Sequence, residues 1–198
     1  MLEIGCGWGG YAEYVGKNYD VKLDCITISK RQFQFAKERI FKNGLNEKVN
    51  ISMTDYRDVK SKYNSIASIE MIEAVGQNYL NGYFRSIKKN LENSGTAAIQ
   101  AIVINDNLYN RYKVKQDFIQ KYIFPGGFLP CKKIINKLSN NAGLEFDACN
   151  SYGLHYSNTL MVWRDEFLKK WDSISKQGFD LNFKSCLLYT SPSPRDSD

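Results

Sequence analysis

Histidine is almost missing from this sequence: His155 is the only one in 198 residues. The five cysteines are scattered and form no C-x-x-C pair. A common zinc set is therefore excluded, and reduced cytosolic thiols with no bound metal are expected. No apolar run approaches the ~20 residues of a membrane-spanning helix, and no signal peptide is visible. No run of five basic residues occurs either. The net charge of +6 by itself describes a solvated basic surface. An anionic lipid surface is the functional alternative. Adjacent lysines go no further than pairs, at Lys88-Lys89, Lys132-Lys133 and Lys169-Lys170, which does not favour nucleic acid.

What is present is a globular composition, 43% hydrophobic and 14% aromatic, long enough for one α/β domain and too short for two. Apolar segments at 2–4, 21–28, 49–53, 65–70 and 96–104 read as strands. Segments 10–17, 30–43 and 78–92 read as helices between them. Ser29 suits an N-cap and Gly44 a C-terminal stop. Such alternation predicts a doubly wound, mostly parallel sheet. Asn93–Gly95 reads as a turn. Residues 106–130, rich in Tyr, Phe, Asn and Gly, read as a lid or insertion. A helix over 131–142, a sixth strand over 144–150 and a long helix over 155–172 are expected to follow. Trp163 and Trp171 fall at helical spacing and read as core residues. The expected domain covers 1–185. Residues 186–198, ending Ser-Pro-Ser-Pro-Arg-Asp-Ser-Asp, read as a disordered tail of non-native origin.

The sharpest motif is Gly5-x-Gly7-x-x-Gly10, directly after the first strand. Glycines let backbone amides approach a ligand, and the helix beyond them favours negative charge. The pattern alone suits NAD as well as S-adenosylmethionine. Glu3, two residues earlier, gains nothing from a pyrophosphate but suits a ligand carrying an ammonium and a sulfonium. Strand two ends Thr27-Ile-Ser29, without the acid that a nicotinamide ribose needs. Asp24 lies near the expected distance but in mid-strand, and stands as the counter-argument. Asp55-Tyr56 follows strand three, where an adenine needs an acceptor and an apolar neighbour.

Further along, Glu70-Met-Ile-Glu-Ala-Val-Gly76 resembles a segment of the cyclopropane-fatty-acyl-phospholipid synthase (mycolic acid cyclopropane synthase) family, class I S-adenosylmethionine-dependent methyltransferases. Ile26–Gln32, Tyr122–Pro130 and Gly153-Leu-His-Tyr-x-x-Thr-Leu-x-x-Trp163 resemble it too, in the same order. The resemblance runs from about residue 2 to about residue 184. It implies a Rossmann-like fold incomplete at both ends, lacking a helical segment before the glycine loop and a helix and edge strand after the long helix.

The resemblance also implies roles. Gly5 and Gly7 would lie by the methionine part of S-adenosylmethionine, with Glu3 organising the loop. Thr27, Ile28 and Gln32 would lie near the ribose, and Asp55 and Tyr56 would flank the adenine. Glu73, Gln100, Ile102 and Tyr156 would form the catalytic set and hold a bicarbonate ion. The implied substrate is an unsaturated phospholipid, met by a cytoplasmic enzyme peripheral to the inner membrane face. An alkene is a weak nucleophile, and methyl transfer to it leaves a carbocation that aromatic faces can stabilise. A base must then take a proton from the new methyl group so that the ring closes. Where many members carry histidine, this chain has Ala74 and Gln100, as in the branch that includes the plant enzymes. A methyltransferase acting on another lipid or small molecule, a non-catalytic gene fragment and, more distantly, a nicotinamide oxidoreductase are the alternatives.

Overall fold

Strands form where the chain carries short apolar runs, and they pair in parallel. β1 (Leu2–Ile4), β2 (Leu23–Thr27), β3 (Val49–Met53), β4 (Tyr63–Ile69) and β5 (Leu91–Gln100) make one sheet in the order β3-β2-β1-β4-β5. The computed structural model describes residues 1–114 and 119–190. It divides into two compact units. The first holds Met1–Lys115 and Gly126–Phe146, the second Gln116–Pro125 and Asp147–Asp198.

In the first unit the period-2 alternation of β1 sends Leu2 and Ile4 to one face and Glu3 to the other. The face of Glu3 is covered by α1 (Gly10–Asn18) and α2 (Lys30–Lys42), through Ala12, Val15, Ala36 and Ile40 packed on Leu23, Cys25 and Val49. The opposite face is covered by α3 (Leu80–Asn90), with Leu80, Tyr83, Phe84 and Ile87 all buried against Leu2, Ile4 and Ile66. α4 (Tyr109–Tyr112) and α5 (Lys132–Asn141) complete this side. Helices on both faces of a parallel sheet make the doubly wound α/β fold that the alternation predicts. Ser29 caps α2 by accepting from the Gln32 amide at 3.4 Å, and Gly44 ends it at φ 67°. Strand order reverses at β1, between β2 and β4, and the carboxyl ends there open the crevice in which such folds bind ligands.

Several expectations need correction. β5 starts at Leu91 and ends at Gln100 rather than running from 96 to 104. Its pairing jumps from Tyr63–Leu91 to Ser65–Thr96, so the expected Asn93–Gly95 turn is a bulge inside the strand. A side chain at Gly95 would meet the Asn64 carbonyl at 2.9 Å, which explains the glycine there. The sixth strand does not form: residues 144–150 carry no ladder. Their alternation supplies an apolar face, but a strand exists only with a hydrogen-bonded neighbour. The 106–130 region is not wholly a lid, because Tyr109 and Phe128 are buried in the core with rings 5.8 Å apart. Its residues 115–118 lie outside those described.

The second unit contains a π-helical turn (Ile119–Ile123), α6 (Gly153–Lys169), α7 (Trp171–Ser175) and α8 (Leu181–Thr190). The long helix expected over 155–172 therefore breaks at Lys170. Trp163, expected in a core, is 58% exposed and touches the Tyr156 ring edge-on at 6.3 Å. Trp171 is half-buried against Phe167. Leu187–Thr190, expected in the disordered tail, continues α8. The remainder of that tail, 191–198, lies outside the described residues.

Candidate cofactor and reaction site

The cofactor loop is shaped by the end of β1. The amides of Gly5 and Cys6 both donate to the Ile26 carbonyl at 3.0 Å, tying the loop to β2. Gly5, Gly7 and Gly9 take φ of 80°, 52° and 77°, a left-handed conformation that a Cβ opposes. A Cβ at Gly5 would lie 2.7 Å from Met71 Cγ, and one at Gly9 3.0 Å from Ala36 Cβ. At Gly7 nothing stands within 4 Å, so this glycine borders open space where a ligand can approach the backbone. Gly10, the third glycine of the fingerprint, begins α1 and has room for a side chain. Gly9 is the constrained position instead. The run of glycines was visible, but the packing on Ala36 that selects Gly9 was not. Replacing Gly9 by Ala is expected to lower stability by roughly 1–3 kcal/mol, read as a drop in the thermal midpoint, whereas Gly10→Ala should not.

Beneath the loop lies Glu3. It is 2% exposed, and its Oε2 is buried without a hydrogen-bond partner. Burial pushes its carboxyl up to about 7, opposed by a hydrogen bond with Cys25. A buried carboxylate without a cation is costly, and here it stands under a loop whose backbone borders open space at Gly7. This arrangement fits a cationic amino-acid ligand. Asp24, the counter-argument, loses its force. It pairs at the level of Leu2, away from the carboxyl edge, and accepts from Asn50 Nδ2 at 3.1 Å and the Tyr63 hydroxyl at 3.0 Å.

At the end of β2, Thr27 is buried. Its hydroxyl donates to Gln32 Oε1 at 3.0 Å and accepts from the Ser29 amide at 3.2 Å. Ile28 between them is 75% exposed, so Thr27 and Gln32 fix a bend that leaves Ile28 facing outward. After β3, Asp55 opens a 3-10 turn (Tyr56–Asp58). Its Oδ1 accepts from the Arg57 amide and Nε at 2.9 Å, and its Oδ2 from Nη2 at 2.6 Å. These bonds hold its carboxyl below the usual range. The acceptor assigned to adenine is thus already engaged by Arg57, a partner the sequence reading overlooked although it stands two residues away. Tyr56 packs edge-on against buried Tyr83, ring centroids 5.7 Å apart.

The expected catalytic residues are only partly brought together. Glu73 follows β4 in a short 3-10 turn (Ile72–Ala74). Its Oε1 accepts from the Ile102 amide at 2.5 Å, while Oε2 is buried without a partner. Burial raises its carboxyl pKa, opposed by the Ile102 amide and reinforced by the charge of Glu70. Ile102 therefore acts through its backbone. Gln100 does not reach toward Glu73: its Nε2 donates to Glu70 Oε1 at 3.2 Å. Tyr156 belongs to α6 in the second unit, where its amide donates to the Tyr152 carbonyl at 2.9 Å. His155 is exposed in the same helix, its ring 6.3 Å from Tyr152. No cluster of metal ligands exists among the described residues. For a small oxyanion such as bicarbonate, the first unit offers Glu73 with its unpartnered, buried Oε2, but Gln100 as placed does not fit that task.

The chain is similar to known proteins. Residues 1–190 match the family described as mycolic acid cyclopropane synthetase. The chain is 36% identical over 181 residues to the tuberculostearic acid methyltransferase UfaA1 of Mycobacterium tuberculosis, covering 91% of this chain and 42% of that protein. It is 35% identical over 189 residues to the cyclopropane-fatty-acyl-phospholipid synthase of Escherichia coli K12, covering 96% and 47%. It thus spans less than half the length of these relatives. The fold matches mycolic acid cyclopropane synthase CmaA1 complexed with SAH and CTAB, with a TM-score of 0.77 at 22% identity, over 85% of this chain and 62% of that one. On the match over nearly its whole length, the chain belongs to the mycolic acid cyclopropane synthetase family of S-adenosylmethionine-dependent methyltransferases.

Proposed function

We propose that this chain forms the cofactor-binding and reaction core of an enzyme that transfers a methylene group from S-adenosylmethionine to the double bond of an unsaturated phospholipid acyl chain. The observation that carries this reading is the buried Glu3 carboxylate, its Oε2 without a partner, under an open glycine loop at the switch point of the sheet. A cationic methyl donor compensates that charge, and a dinucleotide does not. The family match and the acyl-lipid chemistry in the relatives' names support the substrate class.

In this reading the loop at Gly5 and Gly7 and the Glu3 carboxylate hold the methionine end of the donor. Thr27, Ile28 and Gln32 hold the ribose. Tyr56 lies against the adenine, with Asp55 serving only where Arg57 yields an oxygen. When bound, the donor would supply an electrophilic methyl group to the acyl double bond, its carbon–sulfur bond breaking to leave S-adenosylhomocysteine. Burial raises the pKa of Glu73, which favours the protonated form, the one that donates to a bicarbonate ion rather than repelling it. Bicarbonate, when bound, supplies the base for ring closure. Tyr156 is assigned to the same ion by resemblance. The enzyme works at an anionic membrane surface, peripheral to the cytoplasmic face, which the net charge of +6 supports. No helix among the described residues is long and apolar enough to cross a membrane.

A second reading, a methyl-branched product, is favoured by the tuberculostearic acid methyltransferase, since proton loss elsewhere from the same cation gives it. S-adenosylhomocysteine is expected to raise the thermal midpoint, and NAD to leave it unchanged. The reverse result sinks the assignment. With labelled donor and unsaturated phospholipid vesicles, label belongs in the acyl chain. Label confined to headgroup amines contradicts the substrate.

A further inference from the structure

Glu70 is the single non-glycine residue with a positive φ, 48°, among the described residues. Glycine takes that conformation freely, whereas a Cβ opposes it. A residue serving the backbone alone would be glycine, so the side chain of Glu70 has its own task. It stands at the carboxyl end of β4, beside the switch point, and is joined to Gln100 twice. Its amide donates to the Gln100 carbonyl at 2.9 Å, and its Oε1 accepts from Gln100 Nε2 at 3.2 Å. This side-chain bond is exposed, and one exposed hydrogen bond adds too little stability to explain a strained backbone. Strain kept without a stability reason marks a functional site.

What the strained residue controls is the turn that follows. Met71 lies against Gly5 of the cofactor loop, where an added Cβ would meet Met71 Cγ at 2.7 Å. Ile72 is fully buried and anchors the turn. Glu73 then meets the segment that follows β5, through the Ile102 amide. The chain just beyond β4 is thus tied at two successive points, Glu70 to Gln100 at the end of β5 and Glu73 to Ile102 just past it. The first tie sets the direction in which the chain enters the second.

We propose that Glu70 is a positioning residue: by gripping Gln100 it holds the left-handed bend that places Glu73 on the Ile102 amide. The activity part of this inference rests on the function proposed above. It also gives Gln100 a role, as the fixed partner of Glu70, that differs from the one the family resemblance implies.

Two variants of the full chain test it. Glu70→Gly removes the side chain and relieves the strain. Glu70→Gln keeps length and acceptor and removes only the charge. For Glu70→Gly the thermal midpoint should hold or rise, and S-adenosylhomocysteine should bind as before. Hydrogen exchange at the Ile102 amide should quicken about tenfold, while β5 amides bonded to β4 stay protected. In the intact enzyme kcat should fall by about 10²-fold with KM for the donor unchanged, the expected effect of a misplaced reacting group. Glu70→Gln should restore Ile102 protection and most of kcat. Unchanged Ile102 exchange in Glu70→Gly overturns the inference. So does a lowered midpoint with exchange quickened along all of β5, which makes Glu70 merely structural, or a Glu70→Gln variant that behaves like Glu70→Gly. If the wild-type enzyme transfers no label to unsaturated phospholipid, the proposed function fails, while exchange at Ile102 still decides the role of Glu70.

Discussion

Replacing Glu73 by glutamine is expected to lower transfer to the acyl chain by about 10²–10⁴-fold, the usual worth of a positioned proton-transfer group, with little effect on cofactor affinity or folding. The geometry explains why the two effects separate. Glutamine keeps an oxygen where Oε1 accepts from the Ile102 amide, and the Phe128 amide bonds the backbone carbonyl of residue 73, which the substitution does not touch. The turn therefore stays in place. What is lost is the titrating oxygen Oε2, buried and without a partner. Burial raises its pKa above that of an ordinary glutamate, and an amide cannot take up or release a proton during a cycle. Glu73→Ala is a poorer probe. It strands the Ile102 amide and should cost about 1–3 kcal/mol of stability as well. The measurement is kcat with labelled donor and unsaturated vesicles, beside calorimetric binding of S-adenosylhomocysteine. Equal losses in both for Glu73→Gln would make the residue structural.

Which parts of this site were legible in the sequence follows from the range of the interactions involved. The strands β1 to β4 and helices α1 to α3 are local signals: apolar runs, the Ser29 cap and the Gly44 stop each act within a few residues. β5 was misplaced because Asn93-Ser-Gly95 looks like a boundary, while pairing to β4 resumes on both sides of it. The expected strand at 144–150 failed for the opposite reason, an alternating pattern with no ladder to join. In the site, Glu3 was found from its spacing to Gly5, and Glu73 through the family resemblance of the segment that follows β4. The destination of Gln100 was not, because Glu70 is thirty residues away and one sequence does not show which of two nearby carboxylates a carboxamide chooses. Asp55 was found but its engagement missed. Arg57 lies on the same turn, and a local ion pair competes with any ligand for the same oxygens.

The second large effect concerns Glu3 and its dependence on pH. Its carboxyl titrates at about 7 in the folded chain, against 4.5 for an ordinary glutamate, because burial disfavours the charge. Between those two values the folded state binds more protons than the unfolded one, so stability from this group falls as pH rises from about 4.5 to about 7 and is level above. The full difference is about 3 kcal/mol. Glu3→Gln is expected to remove that decline, giving a higher thermal midpoint than wild type at pH 7.5 and nearly the same one at pH 4.5. Cofactor binding runs in the opposite direction. A ligand carrying an ammonium and a sulfonium favours the ionised carboxylate, so it must displace the proton below pH 7. Affinity for S-adenosylmethionine should climb about tenfold from pH 5.5 to pH 6.5 and flatten above 7. The ligand's own ammonium keeps its charge through that range, since α-amino groups titrate at roughly 7.7–8.0. Calorimetry at pH 6 in two buffers of different ionisation heat should register release of nearly one proton on binding. Glu3→Gln should bind more weakly at pH 7 and show neither the climb nor the proton. An affinity that stays flat from pH 5.5 to 7 in the wild type would mean that the donor's charge does not reach Glu3. The loop geometry alone would then have to account for the choice of cofactor, and Gly5, Gly7 and Gly9 permit a dinucleotide as readily as a sulfonium.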